Sequence, residues 1–418
     1  MKPIIANYNN NKEEQFTFTL ESCDVSVANA IRRIILSDIN QYVFKTFPHA
    51  ENRANFTVNT TRLHNELLKQ RLGCIPIYHL HTIDGFQNEY KNYVVEVDVK
   101  NDTDTIRYVT TEDFKVKKAK NIEKIGGSND DDDIVYEYLS ESAVRKIFPP
   151  DSISGEYIEF ARLLPKLSSN ATGGEALVFT CTLEISNAKF DGMYNVAHTC
   201  AYNCTPDEKE IEKQWKVKEK ALREGFDSSL SSSISEQLAN AKKNWELLDA
   251  QRIFVPDSFD FIIETVGVYT NIQLVTKACD IMIKKCEKFL ADMEHSSSSS
   301  SSTSSTGIGV KNVIEFAHEL TTMKHAFCVN LIGEDYTLGK VIEFLIFSKY
   351  YNKADGIVSF CGFKKPHPHS LDSFIIVAFK EATELSKVQE HVSKVVTECI
   401  SIFKSLFESF NDLNSKKK

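Results

Sequence analysis

Apolar and polar residues alternate along FTFTLE, with Phe16, Phe18 and Leu20 on one side and Thr17, Thr19 and Glu21 on the other. A period of two predicts a strand with one buried face. The period then changes to helical spacing: Val27, Ala28, Ile31, Ile34 and Ile35 form one apolar stripe, and Asp24 or Ser26 is placed to accept hydrogen bonds from the first free N–H groups. The same strand-then-helix unit returns without a gap at 327–349, where FCVNLIGEDYTLGKVIEFLIFSK lies under FTFTLESCDVSVANAIRRIILSD of 16–38. Phe16 aligns with Phe327, Phe18 with Val329, Leu20 with Leu331, Asp24 with Asp335, Ser26 with Thr337, Ile31 with Ile342 and Ser37 with Ser348. The second stripe is Leu338, Val341, Ile342 and Leu345, capped by Asp335 or Thr337. Each stripe needs an apolar partner, so a chain carrying the unit twice is expected to clasp its two copies together, as a dimer joined into one polypeptide.

Each copy is followed later by another strand and a long amphipathic helix. The first set is FDFIIETVGVY (259–269) and a helix over about 272–294, whose apolar face includes Val275, Ala278, Cys279, Met282, Cys286 and Phe289. The second is SFIIVAF (373–379) and a helix carrying Leu385, Val388, Val392, Cys399, Leu406 and Phe410. Between them HSSSSSSSTSST (295–306) has too little apolar surface to fold, and its composition is that of a flexible tether. The long stretch inside the first half predicts an inserted domain. It holds a short helix (TRLHNELLKQRLG, 61–73) with Gly73 as its stop, strand-like runs YVVEVDV (93–99) and ALVFTCTLEI (176–185), and a polar loop (120–133).

The expected architecture is α+β: two related modules of sheet plus helices, paired within the molecule, with a mixed, mainly β insert in the first. The expected boundaries are 1–48 with 252–295 for the first module and 49–205 for the insert. A charged helical excursion at 206–251, a serine-rich linker at 296–310 and the second module at 311–418 complete the scheme.

Composition narrows the function. The chain has 418 residues, 42% hydrophobic, and a formal net charge of −9, which argues against nucleic-acid binding by bulk electrostatics. Ten cysteines sit singly in apolar segments with no secretory signal before them, so reduced thiols in an intracellular, soluble protein are expected. No run approaches the roughly 20 apolar residues that cross a bilayer.

Candidate chemistry is sparse. There is no phosphate-cradling glycine loop, no nucleophile beside a base and no paired carboxylates in a defined setting. Asp130 to Asp133 reads as a loop tip, and Gly126-Gly127 and Gly173-Gly174 as turn glycines. Cys181, His198, Cys200 and Cys204 could in principle supply four zinc ligands, yet they lack the tight paired spacing of knuckle turns and read better as buried thiols. His64 has no partner that would make it a base. Arg32 and Arg33 stand among apolar neighbours and point about 100° apart, so they form either a solvated flank or a guanidinium fork for another protein's carboxylates or carbonyls.

Together these segments resemble the α-like subunits of multisubunit DNA-directed RNA polymerases. DVSVANAIRRIILSD (24–38) is similar to the dimerisation helix of the archaeal D subunit, the bacterial α subunit and the third-largest subunit of polymerase II. NTTRLHNELLKQRLGCIPI (59–77) and AKFDGMYNVAHTCAYNC (188–204) resemble later signatures of the same subunits. Residues 325–380, with GEDYTLGKVIEFLIF and the His367-Pro368 turn before SFIIVAF, are similar to the small partner, the archaeal L or eleventh polymerase II subunit. These partners are normally separate polypeptides, and their fusion through a serine tether resembles the arrangement in large nucleocytoplasmic DNA viruses. Residues 78–100 contain no cysteine, so the four-cysteine zinc loop that some relatives carry there has no counterpart, nor does the iron–sulfur domain of some archaeal ones.

The resemblance implies a non-catalytic assembly platform within a nucleotidyltransferase complex, with no cofactor or metal. It implies recruitment of the second-largest and then the largest subunit, with Asn29, Arg32 and Arg33 as candidate contacts, small polymerase subunits alongside, and DNA met only through the complex. In a viral setting it places the protein in host cytoplasm or nucleus, or in the virion. A stand-alone structural pairing protein and a zinc-dependent enzyme built on the Cys/His set are the competing readings.

Overall fold

The computed structural model describes all residues except 11–14, 80–88, 121–134, 167–172, 226–230, 299–311, 318–319, 354 and 416–418. The chain begins with β1 (Ile4–Asn10), β2 (Gln15–Glu21), α1 (Val25–Ser37), β3 (Gln41–Val43), β4 (Ala54–Asn59) and α2 (Asn65–Gly73). There follow β5 (Tyr93–Lys100), β6 (Arg107–Thr110), β7 (Lys115–Ala119), β8 (Tyr136–Tyr138), α3 (Glu141–Ile147), β9 (Glu159–Leu163), β10 (Ala176–Thr182) and β11 (Glu184–Ser186). Next come β12 (Ala197–Pro206), α4 (Glu208–Gly225), α5 (Ser231–Leu247), β13 (Phe254–Thr265) and α6 (Asn271–Ser298). The chain ends with β14 (Ile314–Phe316), β15 (Ala326–Leu331), α7 (Tyr336–Ile346), β16 (Val358–Lys364), β17 (Ser373–Phe379) and α8 (Leu385–Ser415). Two compact units result: Met1–Ile34 with Thr199–Glu264 and Val275–Lys418, and Ile35–His198 with Thr265–Leu274.

The first unit contains two four-stranded sheets with the same plan, β1-β2-β13-β12 and β14-β15-β17-β16. In each, the strand of the sequence repeat feeds a short helix (α1 or α7), and its inner neighbour feeds a long one (α6 or α8). The register repeats as well. Phe16, Phe18 and Leu20 stand opposite Ile263, Phe261 and Phe259, while Phe327, Val329 and Leu331 stand opposite Val377, Ile375 and Ser373. The likeness is therefore of whole modules, since a slip of one residue would turn every buried side chain to the wrong face.

The two modules differ in what their connections carry. Between α1 and β12 the first module holds residues 38–196, where the second module passes from α7 to β16 through residues 347–357 and one π-helical turn, Phe347–Tyr351. Between β12 and β13 the first module holds α4 and α5, where the second has the short β16–β17 connection of 365–372. The charged stretch is thus a pair of helices with a small core of its own, in which Trp215 and Trp245 lie 6.2 Å apart beside Ala250. β15 departs from simple alternation: all six of its residues are buried. Asn330 is accommodated because its Nδ2 donates to Asn312 O at 2.8 Å and to Glu315 Oε1 at 2.9 Å. α6 continues through Ser298, so the first serines extend a helix rather than open the linker, and the rest of the tract lies outside the described residues.

The second unit is built on the sheet β4-β10-β5-β7-β8. Its core gathers around Phe114, whose ring meets Phe44, Phe148, Phe160 and Phe179 at 5.3–6.4 Å. The run ALVFTCTLEI splits into two strands, β10 pairing with β5 and β4 and β11 pairing with β3, so the chain changes sheets at Leu183. Gly73 is the last residue of α2 rather than the stop beyond it. A Cβ there would lie 2.7 Å from Met193 Sδ, so the glycine is packed closely against that side chain. His64 is the N-cap residue of α2 but its side chain makes no cap hydrogen bond. The polar loop of 120–133, including Gly126-Gly127 and Asp130 to Asp133, lies outside the described residues but for Lys120.

Candidate assembly interface

All the contacts described next lie within the first compact unit. The two repeated helices are capped alike: Asp24 Oδ1 accepts from Ser26 N at 2.8 Å, and Asp335 Oδ1 accepts from Thr337 N at 2.9 Å. An aspartate at this place satisfies an orphan N–H and puts negative charge at the positive end of the helix. Sequence left Asp or Ser/Thr open as the cap in each copy, and the aspartate takes the role in both.

Asp335 also binds across to the other module. Arg33 Nη2 donates to Asp335 Oδ2 at 2.6 Å while Arg33 Nε donates to Thr337 Oγ1 at 2.9 Å, so a guanidinium from α1 grips the N-terminus of α7. The side chains are 33% and 21% exposed, so solvent screens the pair and it directs more than it stabilises. Arg32 turns elsewhere and holds Asn29 Oδ1 through Nε and Nη2 at 3.0 and 2.8 Å. Of the fork drawn from the sequence, one arm reaches the chain's own second half and the other stays on α1.

Three further contacts join the halves. Lys285 on α6 donates to Glu334 beside α7 at 2.9 Å, both side chains about 15% exposed. Cys286 on α6 and Cys399 on α8 bring their sulfurs to 3.5 Å in the buried interior, and the hydrogen bond between them, followed by burial, holds the Cys399 thiol well above the usual cysteine range. Phe410, near the end of α8, places its ring edge-on to Phe18 at 5.1 Å and Phe16 at 6.4 Å, while Phe18 stacks on Phe261 at 4.9 Å. The last helix of the second module thus packs on the first module's sheet.

The stripe residues Val27, Ala28, Ile31, Ile34 and Ile35 are fully buried, as are Leu338, Val341 and Ile342, with Leu345 2% exposed. The cross-module partners of Arg33, Lys285, Cys286 and Phe410 were not foreseen. Cys286, Cys399 and Phe410 were legible as members of apolar faces, but a face does not name what covers it. A cleft of about 420 Å³ remains open beside the caps, walled by Asp24, Ser26, Asn29, Tyr202, Phe344 and Phe347.

The Cys/His set makes no centre. Among the described residues, Cys181, His198, Cys200 and Cys204 included, no group of three or more His, Cys, Asp or Glu is arranged to hold a metal. Burial pushes the thiols of Cys181 and Cys200 up to about 12. Among the described residues no helix is long and apolar enough to cross a membrane.

A family model described as the RNA polymerase Rpb3/Rpb11 dimerisation domain matches residues 17–286. The chain belongs to that family. The match opens in β2 and closes within α6, so it covers the first module and its insert, while the kinship of the second module is carried by the repeat, the strand order and the register. Over 303 residues the chain is 22% identical to "DNA-directed RNA polymerase subunit Rpo3" of Pyrococcus furiosus, covering 69% of this chain and 96% of that protein. It is also 26% identical over 219 residues to "Conjugation stage-specific protein" of Tetrahymena thermophila, covering 50% of this chain. The chain spans about three fifths of that protein's length, 61%. This Rpb3/Rpb11-type chain thus has the mixed α+β fold of a polymerase dimerisation module, together with a second, paired copy.

Proposed function

We propose that the protein is a non-catalytic assembly platform of a DNA-directed RNA polymerase, in which both members of a dimerisation pair are fused in one chain. The observation that carries this is the duplicated module, alike in strand order and register, joined across its halves by Arg33, Lys285, Cys286 and Phe410. Pairing buries faces that neither half could hide alone, and a tether raises the effective concentration of one half about the other to roughly millimolar. In this reading the modules span 1–48 with 252–298 and 311–418, the insert 49–196, the helical excursion 207–251 and the linker 299–310, with β12 (Ala197–Pro206) returned from the insert to the first module's sheet and the first serines to α6. The stripes headed by Ile31 and Ile342 seal the pair. The platform recruits the second-largest and then the largest subunit, with small subunits beside them, and reaches DNA only through the complex. With Arg33 engaged by Asp335 and Thr337, Asn29 and Arg32 carry most of the large-subunit contact. The fusion accords with a source among large nucleocytoplasmic DNA viruses, acting in host cytoplasm or nucleus.

The test is affinity purification of the tagged full chain from its native source, followed by mass spectrometry. The two largest polymerase subunits are expected in near-equal amount, and Arg32→Ala is expected to deplete them while leaving the halves paired. Recovery of the chain without those subunits would overturn the platform role, and full recovery with Arg32→Ala would remove Arg32 from the contact.

A further inference from the structure

The two modules are related residue by residue, so each side chain at their junction has a counterpart. Arg33 corresponds to Phe344, Asp335 to Asp24 and Thr337 to Ser26. On one side Arg33 fills the junction, bonding Asp335 Oδ2 and Thr337 Oγ1. On the other, Phe344 replaces the arginine and the junction stays open as the cleft beside Asp24 and Ser26. Two polar groups are left over there. Asp24 uses Oδ1 to cap α1, and among the described residues it meets no cation and the buried Ser26 Oγ has no hydrogen-bond partner. These are the counterparts of the two atoms that Arg33 satisfies. A buried hydroxyl without a partner is costly unless something arrives to bond it.

We propose that this cleft is an arginine socket, filled by an arginine side chain that a partner polypeptide presents. The molecule itself displays the chemistry that fits, because the equivalent site holds a guanidinium bonded to an aspartate and a hydroxyl. The incoming guanidinium bonds Asp24 and Ser26, and its three-carbon stem lies on Phe344, Phe347 and Tyr202, which make the cleft mainly apolar. The other charges lining the cleft satisfy each other: Lys340 Nζ holds Glu343 Oε2 at 2.6 Å, and Glu343 Oε1 accepts from Phe363 N at 2.9 Å. Asp24 is therefore the acceptor left to choose the ligand, and a planar fork suits an aspartate beside a hydroxyl better than an ammonium does. The inference deepens the platform reading by naming the side chain through which a partner is held, and rests on that reading only for who the partner is.

The test titrates the full chain calorimetrically with acetyl-Leu-Arg-Leu-amide and with its citrulline and lysine analogues. The arginine peptide is expected to bind about tenfold or more tightly than the citrulline one. Asp24→Asn keeps a good helix cap but drops the charge, and is expected to erase that preference. Phe344→Arg supplies the guanidinium in cis. It is expected to abolish peptide binding while holding or raising the melting temperature, and a gain of this kind is expected to vanish when Asp24→Asn is added. Equal binding of the arginine and citrulline peptides, an unchanged preference in Asp24→Asn, or undiminished binding in Phe344→Arg would each overturn the socket. A preference for the lysine peptide would overturn its arginine character. No polymerase subunit is present in this titration, so its outcome is independent of whether large subunits co-purify.

Discussion

Phe410→Ala isolates the contact by which the second module's last helix holds the first module's sheet. The ring is fully buried and lies against Phe16 and Phe18, so truncation removes two edge-on aromatic contacts and leaves a cavity between the halves. Losses of this kind cost about 3–5 kcal/mol, of which each ring contact supplies roughly 0.5–1.5. Applied to association of the halves, that is a weakening of between about two and nearly four orders of magnitude in Kd. The tether would mask such a change, so the assay introduces a protease site into the serine tract, cuts the chain and follows the halves by sedimentation on dilution. Wild-type halves should stay together at concentrations where the Phe410→Ala halves separate. Circular dichroism of the intact variant should show its helices retained, and Glu408→Ala, on the exposed side of the same helix, should change Kd by less than about threefold. If cut Phe410→Ala halves associate within about threefold of wild type, the pairing does not depend on this contact and the energetic argument fails.

Other outcomes follow from the same geometry. Ile31→Asp or Ile342→Asp places a charge at a fully buried position and should cost several kcal/mol, about 3 or more, abolishing pairing of the cut halves; their survival as a complex would remove the stripes from the interface. Lys285→Met leaves Glu334 without its cation in a site about 15% exposed and should destabilise by roughly 2 kcal/mol in urea unfolding, an effect that Glu334→Gln in the same chain should largely restore. Burial pushes the thiols of Cys23, Cys181, Cys200, Cys279 and Cys361 from 9.0 up to about 12. Above pH 9 the unfolded chain releases these protons first, so their stabilisation is complete below that pH and is lost as pH rises towards 12. Each thiol should contribute a slope of about 1 kcal/mol per pH unit in that window, and an unfolding midpoint that stays flat from pH 8 to 11 would refute the burial argument.

The elements were legible because each is a local periodicity. The strand of Phe16, Phe18 and Leu20 became β2, and the stripe from Val27 to Ile35 became α1. Their copies became β15 and α7, and the duplication itself exposed the paired architecture. Misjudged details had tertiary causes. Gly73 looked like a helix stop, but it is the last residue of α2 and lies against the side chain of Met193, a residue far along the chain. ALVFTCTLEI looked like one strand, and only the competition of two sheets for it breaks it at Leu183. β15, the copy of a strand whose alternation predicts one buried face, is buried on both faces, which its alignment with β2 does not show.

Arg33 shows where sequence reasoning ends. Its neighbours could not say whether it meets water, a partner or its own chain, because that depends on a helix end some three hundred positions away brought within bonding reach. By itself the sequence determined what must be buried, since period and polarity are properties of consecutive residues, and it determined that the same solution occurs twice. Only the tertiary structure decided what buries it, which of two equivalent junctions is closed by an arginine, and which is left open beside Asp24. Those outcomes depend on distances between residues that no local pattern encodes.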